Sequence, residues 1–142
     1  MRFYSSYKDA HDALGIPGSW QRGTIGSPET GITSIKLTAN PKSYDKISRD
    51  MQTIYYVGRG KKASPGQPVS FQQKKDQLPF YKSLATGNPV HVMMKLKPGF
   101  VAYLGTYKVV SVRLVPAFYE YYQITLTSIH NAQDKSDRKD NQ

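Results

Sequence analysis

A succession of strand-like segments is the feature of this chain that most constrains its fold. These segments are rich in β-branched and aromatic residues or alternate apolar with polar side chains, which is typical of half-buried β-strands. They lie at 32–38, 53–57, 90–96, 100–115 and 119–129, and the fourth is long enough for one or two strands. Turn signals of glycine, proline and asparagine separate them. Five or six strands in one small domain usually close into a barrel or a strongly curled sheet.

Two short helices are predicted beside the strands. A serine can cap a first helix over 6–14, and Gly15 would end it. Proline in the first turn and Gly87 as a stop predict a second helix over 79–86. Residues 71–77 could add a helical turn. The predicted class is therefore α+β with β dominant, a curled β-barrel with two short helices.

The length of 142 residues fits one domain with a modest core. We expect residues 1–31 to form a helix and an irregular segment packed on the body, 32–130 to form the barrel, and 131–142 to be a disordered tail. No apolar run approaches the ~20 residues needed to span a bilayer, and the first residues do not resemble a signal peptide. These observations predict an intracellular protein with no membrane partner, in the nucleus of a eukaryote or otherwise in the cytoplasm or nucleoid.

The positive charge lies on the predicted folded body. The formal net charge is +10, and residues 32–131 hold fourteen basic side chains against four acidic ones. A basic folded face indicates a polyanionic partner, although surface charge that only aids solubility remains an alternative. The eleven tyrosines favour nucleic acid, because aromatic rings together with cations suit bases and phosphates.

Residues for catalysis or metal binding are sparse. The chain has no cysteine, and no histidine has a metal-ligand neighbour three or four residues away. Asp45 and Asp50 are close in sequence, but no lysine-containing nuclease signature follows them. The segment 58–62 lacks the spacing of a phosphate-binding loop for nucleotide hydrolysis. We therefore expect no metal, no cofactor and no enzymatic activity.

Two tyrosine–glycine segments carry the functional signal. Tyr55–Gly60 reads as a strand that ends in a basic glycine-rich loop, and Tyr103–Val110 reads as a pair of strands that turn at a glycine. Backbone amides and cations of such a loop could hold a phosphodiester. Tyrosine on a strand is usually a packing residue. Two rings on either side of a pocket, however, could stack on a base at about 1–3 kcal/mol per base.

With these segments in place, the chain resembles the SRA (SET- and RING-associated) or YDG domain of the PUA-like superfamily. Tyr44 and Tyr56 keep the family's spacing of twelve residues between two tyrosines, and a Val-Gly-Arg-Gly stretch follows the second. Ser83–Val92 matches the family's Ser-x-x-x-Gly-x-Pro-Val-x-Val. Tyr103–Val110 matches the naming motif with leucine in place of its aspartate. Tyr121–Leu126 stands where the family's closing strand lies.

The resemblance implies that a modified cytosine swings out of the duplex and stacks between Tyr44 and Tyr56. The family's edge-reading aspartate lies three residues after its first tyrosine, where this chain has Ile47. The carboxylates near that position, Asp45 and Asp50, are the candidates to read the base edge, together with the backbone groups of Val57 and Gly58. The candidates to bind phosphates or enter the duplex from the following loop are Arg59, Lys61, Lys62, Gln67, Lys74 and Lys75.

The partner implied is double-stranded DNA that carries a modified base, 5-methylcytosine or 5-hydroxymethylcytosine, with an effector encoded separately. Three alternatives remain open from the sequence. They are a PUA-like RNA-binding domain, a small nuclease or ASCH-type hydrolase acting on nucleotides, and an interaction domain whose pocket has no ligand.

Overall fold

The computed structural model describes residues 2–17, 24–39, 45–58, 73–115 and 121–129. These residues form two α-helices, one 3-10 helix and eight strands. The helices are α1 Tyr7–Leu14 and α2 Leu78–Thr86, and the 3-10 helix Lys74–Gln77 precedes α2. The strands are β1 Arg2–Tyr4, β2 Thr24–Ser27, β3 Gly31–Thr38, β4 Lys46–Ile47, β5 Thr53–Val57, β6 Val90–Lys97, β7 Phe100–Val115 and β8 Tyr121–Ser128.

All eight strands belong to one mixed sheet. Its order is β2-β3-β6-β7-β8-β5-β4, and β1 pairs with β7 off this path. The β3–β6 pair is parallel and the others are antiparallel. The β-dominant α+β class with two short helices is confirmed. The expected barrel is corrected, because within the described residues the two end strands, β2 and β4, do not pair and the sheet stays open.

Both helices end where local chemistry predicts. The Ser6 hydroxyl accepts a hydrogen bond from the Asp9 N–H at 3.1 Å, and Gly15 ends α1 with φ 68°. Proline lies in the first turn of α2, and Gly87 ends that helix with φ 69°. No helix in the described part of the chain is long and apolar enough to cross a membrane.

The tyrosine–glycine segment at 103–110 is one continuous strand, not the predicted strand pair. Gly105 pairs with Val92 while Tyr103 pairs with Met93, so Leu104 is an extra residue in a β-bulge. Gly105 has φ 106°, which glycine adopts at little cost. The bulge changes which residues of β7 face the main core, because one extra residue reverses the alternation of the strand.

Three short strands were not predicted. β1 and β4 have three and two residues, too few for a periodic pattern. β2 lies within the segment predicted to be irregular, and it pairs with β3 through a bulge at Gly26. The remainder of that segment that includes Trp20, and the tail predicted to be disordered, lie outside the described residues.

The core consists of two clusters on opposite faces of the sheet. The main cluster lies under α2 and includes Phe80, Tyr107 and Ile124. The smaller cluster lies under α1 and includes Ala10, Met93 and Val101. Tyr107 is fully buried and its hydroxyl donates to the Met51 carbonyl at 2.6 Å. Tyr107, the second tyrosine of the naming motif, therefore links the β4–β5 turn to β7 by a hydrogen bond.

Candidate functional site

A pocket of about 300 Å³ opens at one end of the sheet. Its lining comes from the end of β3, the start of β4 and the middle of β6: Leu37, Thr38, Ala39, Asp45, Lys46, Ile47 and Met94. Since β4 is the last strand of the sheet and β3 is next to the first, the sheet must curl to bring them together. A volume near 300 Å³ lies at the small end of the range of ligand pockets.

Asp45 contributes a carboxylate to this otherwise mostly apolar pocket. Its Oδ1 accepts a hydrogen bond from the Val57 N–H at 2.8 Å, which ties the start of β4 to the end of β5. Burial raises the pKa of Asp45, while the Val57 N–H and the nearby Lys46 charge oppose this shift. A carboxylate here could accept the amino protons of a cytosine edge. The structure thus brings two predicted edge residues, Asp45 and Val57, together.

Asp50 has a different place. Its Oδ1 accepts hydrogen bonds from the Ser48 hydroxyl at 2.7 Å and from the Gln52 N–H at 3.0 Å. These contacts build the exposed turn between β4 and β5. Asp50 is not among the described residues that line the pocket.

The predicted stacking pair is described only in part. Tyr44 lies outside the described residues. The Tyr56 side chain is 8% exposed, and its ring packs against Phe80 with the centroids 6.1 Å apart and the planes tilted by 48°. Tyr56 thus serves the core in this structure and is not among the described lining residues. Its role in stacking stays a prediction.

Gly58 directly follows β5 and is the last described residue before the predicted basic loop. Its N–H donates to the Tyr122 carbonyl at 2.8 Å. A Cβ atom at this position would lie 2.4 Å from Oε1 of the fully buried Gln77. Gln77 also donates from Nε2 to the Gln73 carbonyl at 3.2 Å. One buried amide is therefore close to both Gly58 and Gln73, the described residues on either side of 59–72.

The predicted phosphate-binding residues are also described only in part. Lys74 and Lys75 are exposed on the 3-10 helix, and the Lys74 Nζ lies 5.7 Å from the centre of the Tyr81 ring. Within the described ranges, the salt bridge found joins Lys8 to Asp12 on α1. The rest of the predicted set lies outside the described residues: Arg59, Lys61, Lys62 and Gln67.

The described histidines have structural partners. His11 is buried, with Nε2 at 2.8 Å from the Ser34 hydroxyl and Nδ1 at 2.6 Å from the Tyr7 carbonyl. Nδ1 of His91 lies 2.8 Å from the Tyr103 hydroxyl, and burial with the nearby His11 lowers the pKa of His91. Among the residues that the structure describes, no group of three His, Cys, Asp or Glu could hold a metal.

The apolar walls of the pocket were missed by sequence reasoning. Leu37 and Met94 become neighbours through the parallel β3–β6 pairing, in which they are directly opposed. A pairing across more than fifty residues leaves no local signal. The alternation of β3 indicates only that Leu37 faces a core.

No protein-family model and no curated protein matches this chain. Solved structures do match it. A modification-dependent restriction endonuclease, TagI, superposes with a TM-score of 0.71 at 23% identity, over 91% of this chain and 49% of that one. The SRA domain of SUVH5 in complex with hemi-methylated CG DNA gives 0.66 at 24% identity, over 87% and 84%.

This chain has the SRA fold. KRYPTONITE in complex with mCHH DNA, an H3(1-15) peptide and SAH also matches, with a TM-score of 0.70 at 19% identity, over 90% of this chain and 31% of that one. The SRA-like chain thus spans about half of the endonuclease and about a third of KRYPTONITE. These superpositions establish the fold predicted from the tyrosine and glycine motifs.

Proposed function

We propose that this SRA-like chain is a DNA-binding module that recognises a modified cytosine by flipping it into the pocket beside Asp45. The observation that carries the proposal is the pocket itself. It combines one partly buried carboxylate with apolar walls from β3, β4 and β6, in a fold whose solved relatives include complexes with methylated and hydroxymethylated CG DNA.

The chemistry of the pocket suits a cytosine with a 5-substituent. The Asp45 carboxylate can accept protons from the N4 amino group. The side chains of Leu37, Ile47 and Met94 offer an apolar wall to a methyl or hydroxymethyl group. Extrusion of a base costs a few kcal/mol, which contacts in the pocket and stacking must offset. Tyr44 and Tyr56 are our candidates for that stacking.

The charge distribution supports a duplex partner. The basic excess lies within 32–131 and the cations of 59–75 follow directly on β5. Phosphate contacts from these side chains would supply affinity that falls steeply with salt. Such a protein would act where DNA is, in a nucleus or on a nucleoid.

We infer that the chain itself reads DNA and does not cut it. The endonuclease among its structural relatives is about twice as long as the matched region, so cleavage there can belong to the unmatched half. A separately encoded effector would then act on DNA to which this chain is bound. Metal-dependent nicking of modified duplexes by the purified protein would contradict this inference.

The first test is a duplex panel at matched salt. Duplexes that carry one central cytosine, 5-methylcytosine or 5-hydroxymethylcytosine are compared by fluorescence anisotropy, with single-stranded RNA of equal length as the control. We expect at least tenfold tighter binding to a modified duplex. Equal affinity for all duplexes would mean that the protein binds DNA only through its basic surface. A preference for RNA would favour the PUA-like alternative.

The second test addresses extrusion. A 2-aminopurine placed next to the modified cytosine should brighten on binding, because loss of the neighbouring base relieves stacking. Tyr44→Ala should weaken this signal, and Tyr55→Ala, at an exposed position, is the matched control. Tyr56→Ala is a poor choice, since that ring also packs against Phe80 in the core. Unchanged fluorescence on saturated binding would rule out flipping.

A further inference from the structure

Large apolar side chains are exposed together at the tip of the β6–β7 connection. Phe3, Leu96 and Phe100 are 56%, 46% and 48% exposed. Single exposed apolar residues are common on proteins, but a cluster marks a contact surface. We call Phe3, Leu96, Lys97 and Phe100 the tip surface.

Strand register brings these residues together. Phe3 on β1 is directly opposite Ala102 on β7, and Phe100 is two residues from Ala102 on the same face. Diagonal neighbours across two strands are within reach of each other's aromatic side chains. Lys97 is opposite Phe100, and its Nζ lies 4.6 Å from the centre of the Phe100 ring. Leu96 is the extra residue where the β6–β7 register shifts.

The tip surface lies on the same face of the sheet as the pocket. Leu37 is paired with Met94, Met94 with Ala102, and Ala102 with Phe3, so one row crosses β3, β6, β7 and β1 on a single face. The first two members of this row line the pocket. The Ala39 N–H also donates to the Lys95 carbonyl at 2.9 Å, which joins the pocket wall to the base of the tip.

The size and charge of the tip surface favour DNA over another protein copy. Three half-exposed side chains offer roughly 300 Å² of apolar area, whereas a stable protein interface buries ~800 Å² per partner. Lys95 and Lys97 flank Leu96 in the sequence, and such cations can bind a phosphate backbone. Apolar side chains beside cations are also the devices by which proteins stack on, or wedge between, unstacked bases.

We propose that the tip surface is a second DNA contact, on which Phe100 stacks against a base or sugar next to the extruded nucleotide while Lys97 binds the adjoining phosphate. This inference rests on the proposed function, because the contact is placed relative to a base in the pocket. It adds an apolar element to binding that the basic residues of 59–75 alone would not supply.

The test compares variants on duplexes with and without a central 5-methylcytosine. Phe100→Ala should weaken binding to the modified duplex about tenfold, as loss of a stacked base predicts. Leu84→Ala, at an exposed position on α2, is the matched control and should stay within twofold. Lys97→Gln should lower the slope of log affinity against log salt by about one. Circular dichroism and thermal melting verify that each variant is folded.

Binding by Phe100→Ala within twofold of wild type would overturn the proposal. The proposal would also be overturned if Phe100→Ala changed the mass of the free protein in light scattering and left DNA binding unaltered. That result would assign the tip surface to self-association. The proposed function is judged separately, from the preference of the wild-type protein for the modified duplex. A wild type without that preference fails the proposed function, and weaker binding by Phe100→Ala would still support the tip surface as a DNA contact.

Discussion

The two ends of the β4–β5 hairpin contain carboxylates five residues apart that have different environments. At the turn end, residues 48–53, Asp50 is exposed and accepts hydrogen bonds from the turn it belongs to. At the open end, formed by Asp45, Val57 and Gly58, the carboxylate lines a pocket and burial raises its pKa. Burial and position, not residue type, therefore distinguish the pocket-lining carboxylate, our candidate for base recognition, from the turn-forming one.

The largest expected effect is on DNA binding. Asp45→Asn should weaken binding to a modified duplex tenfold to a hundredfold, about 1–3 kcal/mol. The amide keeps one oxygen for the Val57 N–H but puts an NH2 donor in place of the second oxygen, which would accept from the base. Asp50→Asn is the matched control and should leave affinity within twofold. Anisotropy titration at one salt concentration checks both, and equal losses for the two variants would abolish the distinction between the ends.

The second prediction concerns the close contact behind the open end. Gly58→Ala should lower the free energy of unfolding by about 1–3 kcal/mol, because the new Cβ would meet the buried Gln77 amide. Urea denaturation measures the change. A double variant with Gln77→Ala should lose less than the sum of the two single variants, since the clash is then removed. Strictly additive losses of unfolding free energy in the double variant would contradict a close contact between Gly58 and Gln77.

The third prediction tests the hydrogen bond between the Tyr107 hydroxyl and the Met51 carbonyl at the turn end. Tyr107→Phe should cost about 1–2 kcal/mol of unfolding free energy, because the Met51 carbonyl loses its buried donor. Burial, with the nearby Asp50 charge, raises the pKa of Tyr107 to about 12, so the hydroxyl is protonated and donates at neutral pH. Tyr55→Phe, at an exposed site, is the control. DNA binding should be nearly unchanged, and a selective loss of binding would place the turn end in the interface.

The smallest expected effect is a pH dependence of stability. A carboxyl whose folded pKa is raised binds its proton more tightly in the folded state, so stability falls as pH rises from about 3.9, the ordinary unfolded value, through the folded pKa. Asp45→Asn should remove this loss and retain the acceptor for the Val57 N–H. The difference in urea midpoint between the variant and wild type should therefore grow with pH across that window. A flat difference would contradict a raised pKa for Asp45.

Much of the fold was predictable because its signals are local. The helix ends at Gly15 and Gly87 follow from the positive φ that glycine tolerates, and the strand at 53–57 follows from β-branched and aromatic residues. The segment Tyr103–Val110 was interpreted wrongly as two strands. Its glycine marks a bulge within one strand, and a bulge is distinguished from a turn only by the partner strand.

The candidate site was predictable only in part. The motif spacing placed the candidate site near Tyr44 and Tyr56, whose role in stacking stays a prediction. Asp45 and Asp50 were both candidates to read the base edge, because the sequence offers no means to separate them. The apolar pocket wall was missed because Leu37 and Met94 meet through a long-range parallel pairing. The burial of Tyr56 against Phe80 likewise depends on the helix α2, which lies more than twenty residues further along the chain.

Local signals along the chain account for the helices and main strands, the basic body and the order of motifs that indicates an SRA-like fold. Capping, strand propensity and charge act between residues close in the chain, so a single sequence carries them. Three features come instead from the three-dimensional arrangement. Asp45 and not Asp50 lines the pocket, the sheet stays open in its described part, and the tip surface shares a face of the sheet with the pocket. These features depend on the register between distant strands, in which a shift of one residue turns every side chain to the other face.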